Sequence, residues 1–292
     1  MADFVNGPFG IDHPLVTVRD LDAAAAKLEA LGFVVTPRGR HPWGTHNRLA
    51  LFPGGLLELI TIGDQAAVER GDVDRGLFGR LVRDFMARAE GVGMLALHST
   101  DLDVDTAAAE ARGIEIAGVI DFRRPVRLPD GSDDVAVVRL AMLTDPVRPQ
   151  LSFFLCQQMK RALVEVPAWR DHANTARRLF GITYLDDESG SAVRRAEAIW
   201  GPCWAPQCWA SAGGTVEVVT PSSFQARFPG LELSPAMLAR RPAPIAVSVL
   251  VEDLSAAADF VRRAAPEARF SEEHIQIPAS YLADTIIEFV AG

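Results

Sequence analysis

Among the 292 residues, the side chains best placed for chemistry are a few histidines, carboxylates and amides in apolar or glycine-bearing surroundings. His13 lies in Ile-Asp-His-Pro-Leu-Val-Thr-Val, an alternating, β-branched run that reads as a strand. Glu58 sits between Leu57 and Leu59 in a second apolar run. A carboxylate buried there needs a partner to offset its desolvation, and a cation is one candidate. His46 and Asn47 follow Gly44-Thr45 at the mouth of a strand. Such a pair can orient a carbonyl or hydroxyl, with His46 as general base near neutral pH. His172 and Asn174 form a similar pair, readable also as a connector held by side-chain hydrogen bonds. Glu217 and Glu288 repeat the apolar-Glu-apolar pattern with no histidine upstream. Glutamate in that strand therefore also reads as a scaffold feature, paired by an arginine or by backbone donors. His41 and His274 stand in polar or loop contexts and read as surface residues. Cys203 and Cys208 read as packed thiols in a Trp/Pro-rich loop, because structural zinc needs four ligands and no second pair exists.

The elements that must position these groups repeat. The strand holding His13 ends at Asp20 or Asp22, either of which can cap the Ala/Leu-rich helix that stops at Gly32. Strand-like segments follow at 33–37, 47–52 and 56–62, the last two joined by Pro53-Gly54-Gly55. The same order returns at 93–113 and 245–264, and more weakly from Phe180, with anchors at Asp101, Asp253 and Asp187. Closing strands are expected at 56–62, 151–156, 215–220 and 285–290. Between the first two units, residues 65–89 carry apolar side chains at helical spacing and read as one amphipathic helix. Residues 159–171, with Pro167, read as the connector between halves.

Composition narrows the classes. With 29 Lys+Arg against 38 Asp+Glu the net charge is −9, which disfavours nucleic-acid or anionic-membrane binding. No apolar run reaches the ~18 residues of a membrane span, and residues 1–7 carry no visible secretory signal. Three cysteines fit a reducing cytoplasm. There is no phosphate-binding loop, dinucleotide turn, serine nucleophile elbow or HExxH helix, hence no nucleotide cofactor is expected.

Four βαβββ units that open on a strand and a D-L-x helix start resemble the vicinal oxygen chelate superfamily. That superfamily includes glyoxalase I, extradiol dioxygenases, and fosfomycin-resistance and bleomycin-binding proteins. Gly10-Ile11-Asp12-His13, Gly44-Thr45-His46-Asn47 and Leu57-Glu58-Leu59-Ile60 resemble its glyoxalase-like domain group in particular. Phe154-Leu155-Cys156-Gln157-Gln158 and His172-Ala173-Asn174-Thr175 resemble that group's F-C-Q-H and H-P-N-G segments. Gln158 stands where His is usual, Ala173 where Pro is usual, and one residue is inserted.

The resemblance implies an α+β fold of four βαβββ modules in two glyoxalase/bleomycin-resistance/dihydroxybiphenyl-dioxygenase-like domains. These are residues 1–160, with modules 10–62 and 93–158 linked by helix 65–89, and 161–292, with modules at about 175–220 and 243–291. It also implies metal ligands on the first and last strand of each module, holding Mn, Fe, Ni or Zn. His13 and Glu58 occupy two such places. His98 is the obvious third, yet His13 precedes its anchor by seven residues, a position filled by Met94 in the second module. His98 is three before its anchor, on the same face but roughly 13 Å along the strand. His98, His46, Gln157 and His172 all remain open as the third ligand. The second module's closing strand carries Phe153 and Phe154 where a glutamate is expected.

The expected function is that of a cytoplasmic small-molecule enzyme, monomeric or homodimeric, with no nucleic-acid or membrane partner. It would perform lyase or isomerase chemistry on a vicinal-oxygen (hydroxy-carbonyl) substrate, divalent-metal assisted where a metal binds. His46 and Glu58 would be catalytic, and Asn47, Gln157, His172 and Asn174 would bind substrate. The alternatives are a metal-free protein that binds drugs or small aromatics, with Phe153, Phe154 and Trp43 in its cavity, and an Fe(II) extradiol-type dioxygenase.

Overall fold

The computed structural model describes residues 9–163 and 165–292; the N-terminal heptapeptide read for a signal lies outside them. The first half runs β1 (Ile11–Thr17), α1 (Leu21–Ala30), β2 (Gly39–Arg40), β3 (Thr45–Phe52), β4 (Gly55–Ile62), α2 (Gln65–Arg70), α3 (Leu77–Met86), β5 (Gly91–His98), α4 (Leu102–Ala111), β6 (Gly118–Arg127), β7 (Asp133–Leu143) and β8 (Phe153–Gln158). The second half runs β9 (Ala176–Leu185), α5 (Ser191–Trp200), β10 (Cys208–Ser211), β11 (Gly214–Val219), α6 (Phe224–Arg227), α7 (Pro235–Ala239), β12 (Ala243–Val251), α8 (Leu254–Ala264), β13 (Arg269–Phe270), β14 (His274–Leu282) and β15 (Thr285–Ala291). The architecture is α+β, on two sheets ordered β2-β3-β4-β1-β5-β8-β7-β6 and β10-β11-β9-β12-β15-β14-β13.

Local signals explain most of this. Asp20, Asp101 and Asp253 each cap a helix, accepting hydrogen bonds from backbone amides two or three residues on, which satisfies donors the first helical turn cannot. The third module differs: α5 starts after Gly190, and Asp186, rather than Asp187, accepts from Ala192 N. That module also has two strands after its helix instead of three. Residues 33–37 are not a strand; the short β2 takes that role at 39–40. Residues 65–89 hold two helices, divided where Gly71 turns left-handed and Asp74 bonds to the amides of Gly76, Phe78 and Gly79.

The repeat register survives in the parallel pairings. Leu15 lies opposite Glu58, Ala96 opposite Phe154, Thr183 opposite Glu217 and Ser248 opposite Glu288. Phe154 thus holds the second module's equivalent of the Glu58 position. The halves are tied together closely. Ile11 N donates to Ser211 Oγ (3.3 Å), and Trp200 Nε1 to Phe9 O (2.8 Å). Gly213 is required at this junction, since a Cβ there would stand 2.0 Å from Ile11 O. Among the described residues no helix is long and apolar enough to cross a membrane.

Candidate functional site

The concave face of the first sheet encloses a cavity of about 140 Å³. Its walls are mainly apolar, from Trp43, Phe78, Phe122, Phe154 and Leu140, and its polar groups converge on Glu58. Strand periodicity does the sorting. Asn47 and Leu49 of β3 face the same side as Glu58 of β4, because Leu49 pairs directly with Glu58 and Asn47 lies two pairs on.

Glu58 is 5% exposed, and each of its oxygens has one partner. Asn47 Nδ2 donates to its Oε1 (2.7 Å), and His13 Nε2 stands 3.2 Å from its Oε2. The other nitrogen of His13, Nδ1, bonds to Asp12 Oδ1 at 2.6 Å, and Asp12 Oδ2 accepts from Arg161 Nη1 at 3.2 Å. Both imidazole nitrogens therefore face carboxylates. Burial opposes a charge on His13, but the bonds to Asp12 and Glu58 outweigh it and raise its pKa to about 9. Burial likewise works against the Asp12 carboxylate, and His13 and Arg161 hold it down to about 2. Glu58 is kept below its ordinary value against burial by the same His13 contact, with help from His41 and Asn47. At neutral pH the floor is a chain of carboxylate, imidazolium and carboxylate.

His41, expected on the surface, lines this cavity. It stacks on Trp43 at 4.8 Å, and its Nδ1 is 2.9 Å from Thr45 Oγ1. Trp43 Nε1 can only donate, and does so to the same oxygen at 2.8 Å. The Thr45 hydroxyl hydrogen can then go to His41 Nδ1, in the tautomer that keeps the imidazole hydrogen on Nε2. Burial pushes the His41 pKa down to about 4, so His41 is neutral at pH 7. Cys156 also borders the cavity, and burial pushes its thiol well up.

Several expected site residues stand elsewhere. His46 is on the opposite face of β3 from Asn47, paired with Thr61 and packed over Gly63, where a Cβ would meet its ring at 2.2 Å. It does not border the cavity. Gln157 turns outward as well, its Nε2 donating to Thr100 O (2.7 Å), and Gln158 takes the cavity-facing position. His172 is buried and spent on backbone: Val34 N donates to its Nδ1 (2.9 Å), and its Nε2 bonds Leu51 O (2.8 Å). Asn174 bonds Leu31 O and Ala176 N in the same way. Of the expected residues, His13, Glu58 and Asn47 are brought together. Asp12, His41 and Gln158 are additions.

His98 does not join His13 and Glu58. It ends β5, its backbone bonded to Gly10 O and Phe9 N, and it does not border the cavity. Among the described residues no group of three or more His, Cys, Asp or Glu could hold a metal ion. The donor set explains why. Both His13 nitrogens are committed to carboxylates, and the second module offers Met94 and Phe154 at the equivalent positions, the phenyl ring lying 5.7 Å from the His13 ring. These residues do not fit the metal centre that the resemblance implies.

The second sheet has its own concave site with a different filling. Arg227 forks onto Glu288 (2.7 and 2.6 Å) and reaches Glu217 through Nε (2.6 Å). Ser248 and Gln276 complete the bonds to Glu288. The two glutamates of this half are answered by an internal guanidinium.

Comparison with known proteins agrees with this architecture. A family model described as a glyoxalase-like domain matches residues 11–199. No curated protein matches the chain. Solved structures that are similar include a hypothetical protein from Staphylococcus aureus (TM-score 0.65, 10% identity, covering 97% of this chain and 99% of that one). A mutant 4-hydroxymandelate synthase from Streptomyces coelicolor gives TM-score 0.57 and 14% identity over 98% and 93% of the two chains. A Mn(II)-bound glyoxalase from Novosphingobium aromaticivorans gives 0.53 and 10% over 98% and 83%. At these identities the likeness is one of fold, that of the vicinal oxygen chelate superfamily.

Proposed function

The chain belongs to the glyoxalase-like domain family, and from that premise we propose that its N-terminal cavity is the active site of an enzyme that moves a proton on a small carbonyl compound. The observation that carries this reading is the Asp12–His13–Glu58–Asn47 chain, buried at the floor of an apolar cavity. Each Glu58 oxygen uses one lone pair within that chain, which leaves acceptor capacity for a hydrogen of the ligand. A carboxylate held ionised by a neighbouring imidazolium is a weak base, and the C–H it can take is one acidified by an adjacent carbonyl. The proton passes to Glu58, and the electron pair of the broken C–H bond moves to the carbonyl oxygen. His41 Nε2–H is the neutral donor available to that oxygen. Return of the proton to a different position or face of the same molecule gives isomerase chemistry. Expulsion of a group from the neighbouring carbon gives lyase chemistry. No step is routed through a metal, because the donor set does not fit one.

The test is solvent-deuterium incorporation into small 2-oxo and hydroxy-carbonyl compounds, followed by proton NMR. Wild type should exchange the hydrogen next to the carbonyl of at least one compound, and Glu58→Gln should lower that rate by at least 100-fold, the lower range for loss of a general base. Exchange unchanged by Glu58→Gln would refute the assignment. A second reading, a binding protein without turnover, is favoured by one observation: the second module's share of the wall is largely apolar, from Phe122, Val138, Leu140 and Phe154. Saturable binding with no exchange of any bound compound would establish it.

A further inference from the structure

The cavity over Glu58 is bordered by one guanidinium that no described residue hydrogen-bonds or ion-pairs. Arg38, Arg124 and Arg127 all border it. Arg38 is paired with Asp22 at 2.7 Å and Arg127 with Asp133 at 2.8 Å. Arg124 makes no hydrogen bond, ion pair or ring contact with any of the described residues. It is half-buried on β6, and Phe122 and Val126, two residues away on either side, face the same cavity. Its guanidinium is beside Asn47: a Cβ on Gly39 would stand 2.9 Å from Arg124 Nη1 and 2.3 Å from Asn47 Oδ1.

Contacts around the floor give the sign of the missing partner, because the group left without one is a guanidinium. His13 is shared between Asp12 and Glu58, and Arg161 between Asp12 and Glu165. His41 is neutral. Arg124 feels the Glu58 charge but has no hydrogen-bonded partner among the described residues, a costly arrangement for a half-buried guanidinium unless a ligand supplies the anion. Its planar fork suits a carboxylate, which can take two parallel N–H bonds. A dianionic phosphate suits it less, because the second negative charge would face Glu58.

We infer that the ligand of this cavity is a small monocarboxylate whose anionic end is held by Arg124 and whose apolar body lies against Trp43, Phe78 and Phe122. The inference rests on the reading of this cavity as the active site and adds the substrate class. Size limits the body: about 140 Å³ is comparable with the ~150 Å³ cavity that admits benzene, so one ring or a short branched chain fills it. A carbonyl between the carboxylate and the apolar body places the acidified C–H and the anion within one small molecule, a 2-oxo acid.

The experiment is calorimetric titration of the intact protein with benzoate and with its neutral counterpart benzamide, neither of which can undergo the proposed proton transfer. Benzoate should bind wild type at least tenfold more tightly than benzamide. In Arg124→Gln the two should bind within twofold of each other, with benzamide unchanged from wild type. Arg124→Lys, which keeps the charge and loses the fork, should retain part of the preference, showing that the loss does not come from misfolding. Equal affinities in wild type, a preference that survives in Arg124→Gln, or no benzoate binding would each overturn the inference. The two readings fail separately. Arg124-dependent benzoate binding without deuterium exchange of any carbonyl compound leaves the anion site standing and removes the chemistry. Exchange that depends on Glu58 but is indifferent to Arg124 does the reverse.

Discussion

Asp12 and His13 are consecutive residues of one strand, yet their side chains are hydrogen-bonded to each other at 2.6 Å. Neighbours on a regular strand point to opposite faces. The pairing of β1 with β5 shows why these do not: Ile11 opposes Leu97 and His13 opposes Ala96, so Asp12 is an extra residue in a β-bulge. Pro14 follows directly, in a central strand where proline is ordinarily excluded except near such irregularities. The bulge turns Asp12 back toward the imidazole while leaving His13 on the concave face. His13 thereby acquires a second carboxylate and becomes an imidazolium, which in turn fixes Glu58 as an ionised acceptor.

This makes stability depend on pH in a defined way. The folded-state pKa of His13, about 9, lies above the ordinary 6.5. Its contribution is therefore complete below about pH 6.5 and is lost as pH rises through 9, a change on the order of 3 kcal/mol. His41 acts oppositely. Its pKa of about 4 lies below the ordinary value, so its contribution is present above pH 6.5 and is lost as pH falls toward 4. Urea denaturation across this range should show greatest stability near neutrality. Asp12→Asn should flatten the alkaline slope and leave the acid slope in place. An alkaline slope unchanged by Asp12→Asn would contradict the assignment.

Gly39 should behave as a site residue although it has no side chain. A Cβ there would stand 2.3 Å from Asn47 Oδ1, so Gly39→Ala must displace the amide that holds Glu58. Its effect on deuterium exchange should match that of Asn47→Ala, roughly tenfold for a lost bond to a charged group. The double variant should be no worse than either single one, since both act on one contact. Additive losses would show that Gly39 acts some other way.

Two histidines singled out from sequence separate structure from chemistry. His172→Ala removes two buried backbone bonds and should cost about 2–3 kcal/mol of unfolding free energy, with exchange per folded molecule unchanged. His46→Gln should leave exchange within twofold of wild type, because the ring lies on the other face of the sheet. A 100-fold loss in His46→Gln would restore it as a base.

These histidines also show what sequence can and cannot reveal. The strands, the aspartate-capped helices and the Glu58 position were legible because alternation and capping are local. His46 and Asn47 were both expected at the site, yet adjacent residues on one strand face opposite ways, and a one-residue ambiguity in register hides which faces inward. Gln157 and Gln158 repeat the same ambiguity. His41 and Arg124 escaped because they reach the cavity through the curl of the sheet and the β6–β7 hairpin, which join residues far apart in sequence. The readings of Glu217 and Glu288 as scaffold carboxylates paired by an arginine, and of His172 as a connector residue, agree with Arg227 and with the bonds to Val34 and Leu51.

The C-terminal half should prove separable from the chemistry. Arg227→Met leaves Glu288, fully buried, without its cation and should destabilise the protein by roughly 3–5 kcal/mol. Adding Glu288→Gln should recover part of this loss. Thermal unfolding reads both variants. Benzamide binding at the N-terminal cavity should be unaffected in the folded protein, and a loss of that binding would show that the two halves are coupled.

The most direct measurement is deuterium incorporation by protein stripped of metal with a chelator, checked by elemental analysis, and compared with Glu58→Gln prepared in the same way. The account predicts that stripped wild type exchanges the hydrogen beside the carbonyl of a small 2-oxo acid at its original rate, and that Glu58→Gln does not. Exchange that vanishes on stripping and returns with Mn, Fe, Ni or Zn would contradict it, and would make His13 and Glu58 metal ligands instead of an ion pair.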